Sequence, residues 1–156
     1  MKSLVTKISH YLTAKHWHLA VAESATGGLL GHTITQIPGS SAYFWGGVIA
    51  YANEIKIHLL NVQESSIIKW GAVSSYVALE MAKGVCDATS TEVGISITGI
   101  AGPGGATNVK PVGLYYIGLA LPGELRSYRH IFGGTRLENN QLAAKKALEH
   151  LISILS

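Results

Sequence analysis

The sequence predicts an α/β fold, a single-domain three-layer α/β/α sandwich around a mixed sheet, over residues 1–156. Three observations lead to this expectation. Of the 156 residues, 47% are hydrophobic and 13% are charged, which supplies enough apolar material for one compact core. Helix-like and strand-like segments alternate along most of the chain, as in sheets covered by helices on both faces. A strand hairpin then follows near the C-terminus.

The first third of the chain predicts a helix over Ser3–Lys15, a strand over Leu19–Ala22, a helix over Gly28–Ile37 and a strand over Tyr43–Tyr51. The first helix is amphipathic, and its apolar face carries Leu4, Ile8, Tyr11 and Leu12. Thr26 is the predicted N-cap of the second helix, and Pro38-Gly39 follows its end. The pair Gly46-Gly47 inside the second strand indicates a bulge or a close backbone approach.

The rest of the chain predicts a helix over Asn53–Leu60, a helix over Ser74–Thr89, a strand over Val93–Thr98, strands over Gly113–Leu121 and Leu125–Phe132, and a helix over Leu137–Leu155. Ser74 or Ser75 caps the longer of the two middle helices. The last two strands are joined by Pro122-Gly123-Glu124, which indicates a hairpin. The terminal helix is amphipathic, with Leu148, Leu151, Ile152 and Leu155 on its apolar side.

Charge and composition narrow the class of partner. The net charge is +3, but the lysines and arginines are scattered, so we expect no nucleic-acid surface and, at most, a small anionic ligand. The single cysteine, Cys86, excludes an internal disulfide, and we expect no membrane span and a cytoplasmic location. Because so little charge is available to solvate a monomer's surface, we also expect a homo-oligomer.

Ser24 is the first candidate for chemistry. It stands between an apolar strand and a glycine-containing helix start, in the run Val21-Ala22-Glu23-Ser24-Ala25-Thr26-Gly27-Gly28. Free backbone N–H groups at such a turn can hold an anion or an oxyanion. A capping role for Ser24 is the alternative interpretation. No Gly-x-Ser-x-Gly elbow is present, so an ordinary α/β-hydrolase is not indicated.

A nucleophilic serine needs a base. One candidate is Lys56, with Tyr51 to relay a proton or to hold the lysine, provided that burial or a neighbouring cation lowers the lysine's pKa. A surface lysine near Glu54 is the alternative. The other candidates are the seven histidines, His10, His16, His18, His32, His58, His130 and His150. None of them shows convincing metal-ligand spacing, and we expect no metal site.

A second glycine-rich run, Thr98–Gly105, follows another apolar strand, which suggests that one site is built from both loops. The run matches neither a P-loop nor a dinucleotide-binding fingerprint. Its backbone could hold phosphate or carboxylate, with the Thr98 hydroxyl aimed inward, or it could be a flexible turn around Pro103. Arg136, near the start of the last helix, could bind phosphate with its planar guanidinium or be a solvated helix-end residue.

Seven motifs between residues 23 and 113 occur in the order of a known family, and the resemblance covers nearly the whole chain. The motifs are Glu23–Gly28, Pro38–Phe44, Gly46–Tyr51, Asn53-Glu54 with Lys56, Gly71–Ser74, Thr98–Gly105 and Lys110–Gly113. Together they resemble the CinA C-terminal domain family. The resemblance implies a metal-independent serine–lysine amidohydrolase without a cofactor. It implies that the enzyme converts nicotinamide mononucleotide to nicotinic acid mononucleotide and ammonia in pyridine nucleotide salvage.

The resemblance also implies a set of site residues. Ser24 corresponds to the nucleophile, Lys56 to the base and Tyr51 to the supporting tyrosine. The expected substrate contacts are Thr26, Gly27, Gly28, Thr98, Gly99, Gly102, Gly104, Gly105 and Arg136, with backbone N–H groups over Thr26–Gly28 stabilising the oxyanion.

Three positions depart from the family pattern. Ala25 stands where the family usually has cysteine, Thr135 where it has aspartate and Asn140 where it has a second arginine. The last two changes alter the presumed phosphate end. Two alternatives therefore stay open, a non-catalytic nucleotide-binding or regulatory protein and an amidase acting on another small amide. The large N-terminal domain of many relatives is absent from the sequence, so its activity is not implied.

Overall fold

Five strands form one mixed sheet in the computed structural model, which describes every residue from 1 to 156. The strands are β1 (Leu19–Glu23), β2 (Phe44–Ile49), β3 (Val93–Gly99), β4 (Leu114–Leu121) and β5 (Glu124–Ile131), in the spatial order β2-β1-β3-β4-β5. β1 pairs in parallel with β2 and β3, whereas β4 is antiparallel to both β3 and β5. The predicted mixed sheet and the predicted hairpin of the last two strands are confirmed.

Six helices cover the two faces of this sheet: α1 (Lys2–Lys15), α2 (Leu29–Thr35), α3 (Asn53–Leu60), α4 (Glu64–Trp70), α5 (Ser75–Thr89) and α6 (Arg136–Leu155). One core lies between the sheet and α1, α2 and α6, and a smaller one lies between the sheet and α3 and α5. The predicted three-layer sandwich is therefore confirmed. None of the helices has both the length and the apolarity needed to cross a bilayer.

Two helical segments were not predicted from the sequence, and one helix begins later than expected. The unpredicted segments are α4, which has no fully buried residue, and a 3-10 turn at Ser40–Ala42. The prediction that Thr26 caps α2 is wrong, because the N-cap is Gly28. Gly27 and Gly28 both have positive φ, and the Gly27 N–H donates to the Ser24 carbonyl. This turn delays the helix to Leu29.

The alternation of side chains along β1 determines where the following residues point. Leu19 and Val21 enter the larger core, and Ala20 and Ala22 enter the smaller one under α5. Because successive side chains of a strand face opposite sides, Glu23 is directed toward α2 and the next side chain toward α3. The two sides of the sheet thus receive a carboxylate and a hydroxyl from consecutive residues.

The carboxyl ends of the parallel strands meet at one edge of the sheet. Glu23 is in register with Ile97, and the Ser24 N–H donates to the Ile97 carbonyl at 2.9 Å. Ser24, which follows β1, and Thr98, near the end of β3, are therefore neighbours. Such an edge is where open α/β sheets place their ligand sites.

A glycine in β4 lets α5 lie close to the sheet. A Cβ atom at Gly118 would collide with the backbone carbonyl oxygen of Ala78 in α5 and with the Ser96 hydroxyl. The Ser96 hydroxyl already donates to that same carbonyl, so neither group is free to move away. The backbone contact between α5 and β4 therefore depends on the absence of a side chain at this position.

We expect Gly118→Ala to lower the free energy of unfolding by about 1–3 kcal/mol, the usual range for overpacking a core. Denaturant unfolding followed by circular dichroism measures this change. Gly133→Ala is the matched control, because a Cβ there meets no heavy atom within 4 Å, and it should stay within about 0.5 kcal/mol of the unmodified protein. Equal stability of the two variants would contradict this account of the packing.

Candidate active site

A buried lysine contacts a buried serine at the carboxyl edge of the sheet. The Lys56 Nζ lies 3.1 Å from the Ser24 Oγ, although the two residues are 32 positions apart in sequence. Ser24 is 8% exposed and Lys56 is 1% exposed, and Lys56 is the only lysine in the protein that is buried. The alternative interpretation of Lys56 as a surface lysine is therefore wrong. The fold brings together two of the residues that the sequence singled out.

Two backbone carbonyls orient the Lys56 side chain. Its Nζ donates to the Ala50 carbonyl at 2.8 Å and to the Tyr51 carbonyl at 3.1 Å. In a neutral amine, these two bonds use both N–H groups and direct the lone pair toward the Ser24 hydroxyl. That is the geometry a general base needs in order to take the serine proton.

Burial lowers the pKa of Lys56 below its ordinary value, because a charged ammonium loses its hydration inside the protein. Glu54, on the same helix, acts in the opposite direction and raises this pKa by a smaller amount. No carboxylate forms an ion pair with Lys56. The neutral form that can accept a proton is therefore more populated near neutral pH than in an exposed lysine.

A cavity of about 270 Å³ opens over Ser24 and Lys56. No histidine, cysteine, aspartate or glutamate lines it. All seven candidate histidines thus lie outside it, and nowhere in the molecule do three or more potential metal-ligating side chains of these types cluster. Lys56 is therefore the base available to Ser24 within the cavity. The remaining lining residues are Ala25, Tyr51, Asn53, Ala72, Val73, Thr98, Gly99, Ile100, Ala101, Gly102, Gly104, Gly105 and Arg136.

Arg136 and Tyr51 meet at the rim of the cavity. The Arg136 guanidinium donates to the Tyr51 hydroxyl at 3.1 Å and to the Gly102 carbonyl at 2.9 Å. The Tyr51 side chain is largely exposed, and Tyr51 accepts a hydrogen bond from Lys56 through its backbone carbonyl. A guanidinium has five N–H donors, so several stay free to bind an anionic group entering the cavity. The cationic rim and the absence of carboxylates favour an anionic ligand.

The second glycine-rich loop forms one wall of the cavity. Backbone N–H groups of Gly102, Gly104 and Gly105 have no acceptor within the protein, and such groups can hold phosphate oxygens. The Thr98 hydroxyl lines the cavity but donates to the Ala72 carbonyl at 2.9 Å, which leaves its lone pairs to accept a bond. The fully buried Asn139 amide holds the loop by donating to the Ala101 carbonyl.

The first glycine-containing turn is arranged differently from the expectation. Thr26, Gly27 and Gly28 do not line the cavity. The N–H groups of Gly27 and Gly28 already donate to the Ser24 carbonyl and to the Glu23 carboxylate. The expected oxyanion donors over Thr26–Gly28 are corrected accordingly, since the N–H groups without an acceptor are those of Ala25 and Thr26. The Thr26 hydroxyl is buried and has no partner.

Several residues of the site were not predicted from the sequence. Asn53, Ala72 and Val73 line the cavity, and Asn139 holds a loop from the interior of α6. Nothing in the local pattern distinguishes Asn139 from a solvated helix residue. The one available signal was Glu23, an acidic residue shortly before the start of a glycine-containing helix. A carboxylate in that position can bind the free N–H groups at the helix N-terminus.

Two of the departures from the family pattern have clear structural roles. Thr135 is the N-cap of α6 and forms a capping box with Glu138, a role that threonine and aspartate can both fill. Asn140 accepts a hydrogen bond from the Tyr115 hydroxyl at 2.6 Å and does not line the cavity. At the third position, Ala25 lines the cavity without supplying a thiol.

Comparisons with known proteins agree on one family. The model of the CinA C-terminal domain matches residues 1–155. A CinA-like protein from Cyanothece sp. is 50% identical over 151 residues, 96% of this chain and 36% of its own length. A CinA-like protein from Microcystis aeruginosa is 55% identical over 136 residues, 85% of this chain and 33% of its own length. The chain thus spans about a third of these curated relatives.

Solved structures show the same fold. The competence/damage inducible protein CihA from Agrobacterium tumefaciens superposes with a TM-score of 0.95 at 34% identity, covering 99% of this chain and 95% of that one. The competence damage-inducible protein A from Klebsiella pneumoniae superposes with a TM-score of 0.94 at 27% identity, covering 97% and 94%. These structures therefore match the chain over nearly its whole length.

Proposed function

The chain belongs to the CinA C-terminal domain family, and from this membership and the site geometry we propose that it is a serine–lysine amidohydrolase. Its proposed substrate is nicotinamide mononucleotide, which it converts to nicotinic acid mononucleotide and ammonia. The observation that carries the proposal is the contact of the buried Lys56 amine with the Ser24 hydroxyl at the floor of the cavity. A protein that only binds nucleotides has no need of a buried, unpaired amine beside a hydroxyl.

Acylation begins with attack of the Ser24 Oγ on the carboxamide carbon. The new C–O bond forms as the hydroxyl proton moves to the Lys56 Nζ, 3.1 Å away. The carbonyl oxygen becomes an oxyanion, for which the free N–H group of Ala25, a residue that lines the cavity, is the nearest backbone donor in sequence. Lys56, now charged, protonates the departing nitrogen as the C–N bond breaks. Ammonia leaves, and an acyl-enzyme ester remains on Ser24.

Deacylation repeats these roles with water as the nucleophile. Lys56, neutral again, takes a proton from the water that attacks the ester carbon. When the C–O bond to Ser24 breaks, the proton returns to the serine, and the carboxylic acid product loses its remaining proton to the solvent and is released as its anion. No metal or cofactor takes part in either half of this scheme.

The phosphate of the substrate is proposed to lie against Arg136 and the free N–H groups of the loop Gly102–Gly105. A bidentate guanidinium and a run of backbone donors match phosphate oxygens in geometry and charge. Asn140 is engaged with Tyr115 and supplies no second cation. This observation keeps a second candidate function open, that of an amidase acting on a small amide without a phosphate.

The first prediction from the proposed mechanism tests the nucleophile. Purified protein should release ammonia from nicotinamide mononucleotide, and Ser24→Ala should lower kcat by several orders of magnitude, as loss of a nucleophile does. An enzyme-coupled ammonia assay measures both. Circular dichroism should show an unchanged fold, because the alanine removes only one hydroxyl. Near-normal turnover in Ser24→Ala would rule out the serine mechanism.

The second prediction concerns the base. Lys56→Arg should be nearly as damaging as Lys56→Ala, because arginine stays protonated at any workable pH. In the unmodified enzyme, kcat should rise with pH as Lys56 loses its proton and then level off. Because burial lowers the pKa of Lys56, the midpoint of this rise should lie at a pH below 10.5, the ordinary pKa of a lysine. Substantial turnover by Lys56→Arg would make the lysine a binding residue.

The third prediction concerns the phosphate. Arg136→Ala should lower kcat/KM for nicotinamide mononucleotide roughly tenfold or more, as expected for losing a charge-assisted contact of ~1.5–3 kcal/mol. Nicotinamide riboside, which lacks the phosphate, should be almost unaffected. Arg129→Ala, at an exposed arginine in β5, is the control and should change neither value.

Equal losses on both substrates would mean that Arg136 supports the fold or the chemistry rather than the phosphate. If the unmodified enzyme already prefers the riboside, the mononucleotide assignment fails. The amidase with another small substrate is then the better description.

A further inference from the structure

Glu23 precedes the candidate nucleophile and fills the N-terminus of α2 with its side chain. Its Oε2 accepts the N–H groups of Gly28 at 3.1 Å and Leu30 at 3.0 Å, and its Oε1 accepts the N–H of Gly31 at 2.8 Å. The residue is 1% exposed, and no basic side chain forms an ion pair with it. These three backbone donors therefore supply the polar partners of this buried carboxylate.

The backbone of Glu23 connects the nucleophile to the base. Its carbonyl accepts a hydrogen bond from the Ala50 N–H at 2.8 Å, and the Ala50 carbonyl in turn accepts a hydrogen bond from the Lys56 amine. The next residue, Ser24, is held to β3 through its own N–H. Glu23 thus lies where the strand, the base and α2 come together.

The turn between Ser24 and α2 needs such an anchor. It contains Gly27 at φ +57 and Gly28 at φ +105, and glycines have more backbone freedom than other residues. By binding the N–H groups at the far end of the turn, the Glu23 carboxylate closes a ring around it. Within that ring, the N–H groups of Ala25 and Thr26 are left without acceptors, and Ala25 lines the cavity.

We propose that Glu23 is a positioning residue, whose carboxylate holds the Ser24–Gly28 turn so that the N–H group of Ala25, which lines the cavity, is aimed at the oxyanion. This inference rests on the proposed function, since it assigns a role within that same site. Preorganised donors stabilise the transition state more than the bound substrate. Loss of the anchor should therefore reduce kcat and leave KM nearly unchanged.

Glu23→Gln is the decisive variant because it is isosteric and removes one acceptor. Its amide oxygen can replace Oε2 and accept from Gly28 and Leu30, but its NH₂ group then faces the Gly31 N–H, donor against donor. Turning the amide over places the NH₂ against the other two donors. The turn must shift in either case. Glu23→Asp is the second variant, since it keeps the charge but shortens the reach of the carboxylate.

Glu92→Gln is the matched control. The Glu92 carboxylate also accepts a backbone N–H, that of His18 at 2.7 Å. It directly precedes β3, at the edge of the sheet opposite to Ser24. The same substitution there should leave kcat and KM for nicotinamide mononucleotide unchanged.

Two readouts are needed, ammonia release from nicotinamide mononucleotide and the rate at which an alkyl fluorophosphonate labels Ser24. In labelling, the Ser24 Oγ displaces fluoride from phosphorus and Lys56 takes the proton, so the phosphoryl oxygen uses the same donors without any amide substrate. We expect Glu23→Gln to lower kcat by about 10²-fold, in the range known for loss of an oxyanion donor. KM should stay within about twofold, and labelling should slow in parallel.

The inference is overturned if Glu23→Gln keeps its kcat and labelling rate, if KM rises while kcat is kept, or if kcat falls only in proportion to the fraction of protein that circular dichroism shows to be unfolded. If Glu23→Gln does not fold, Glu23→Asp decides by the same criteria. If the unmodified protein labels at Ser24 but releases no ammonia from the mononucleotide, the proposed function fails. The effect of Glu23→Gln on labelling still tests the positioning role. If the unmodified protein does neither, both proposals fail.

Discussion

The site depends on one lysine amine buried without a counter-ion. Transferring an unpaired charge from water into a protein interior is costly, and proteins commonly respond by shifting the pKa toward the neutral form. Lys56 is in that position, with two carbonyls and the Ser24 hydroxyl as its only partners. The cavity lining contributes no carboxylate that would restore the charge. Burial therefore favours the neutral amine, which is the form that can accept a proton.

The sandwich makes that burial possible. α5 lies close over β1 and β4 because small residues, Ala20, Ala22 and Gly118, face it from the sheet. The segment after β2 then turns its carbonyls inward at Ala50 and Tyr51, where α3 delivers Lys56. Parallel pairing of β1 with both neighbours places the ends of these strands at one edge. Ser24 directly follows β1 and Lys56 lies in α3, whereas Gly102, Gly104 and Gly105 of the cavity wall lie on a loop.

The last helix ties the rim of the cavity to the core. α6 begins at Arg136 with a strong capping box, and its buried face reaches the main core. Asn139 holds the glycine-rich loop from inside this helix, and Arg136 bridges that loop to Tyr51. Thr135 preserves the helix start although the family usually has aspartate at this position. Asn140 instead accepts a hydrogen bond from Tyr115, so Arg136 is the only cationic side chain at the rim of the cavity.

Local pattern in the sequence was sufficient for the order and type of most elements and made Ser24 and Lys56 candidates, whereas their catalytic roles were expected only from the family resemblance. Hydrophobic periodicity and turn residues act over a few positions, so β1, α5 and the terminal hairpin could be recognised without the fold. The short α4, which buries no residue completely, was not visible in this way.

Only the tertiary structure decided which groups face one another. A lysine's pKa depends on burial by distant segments, and the local pattern around Lys56 by itself favoured a surface lysine. The same holds for Asn139, whose partners lie 38 and five positions away, and for the oxyanion donors. The N–H groups of Gly27 and Gly28 were expected to be free, but the Glu23 side chain and the turn itself occupy them. An N–H group that already donates to a protein acceptor is not available to a ligand. The free donors can therefore be identified only when the whole hydrogen-bond network is known.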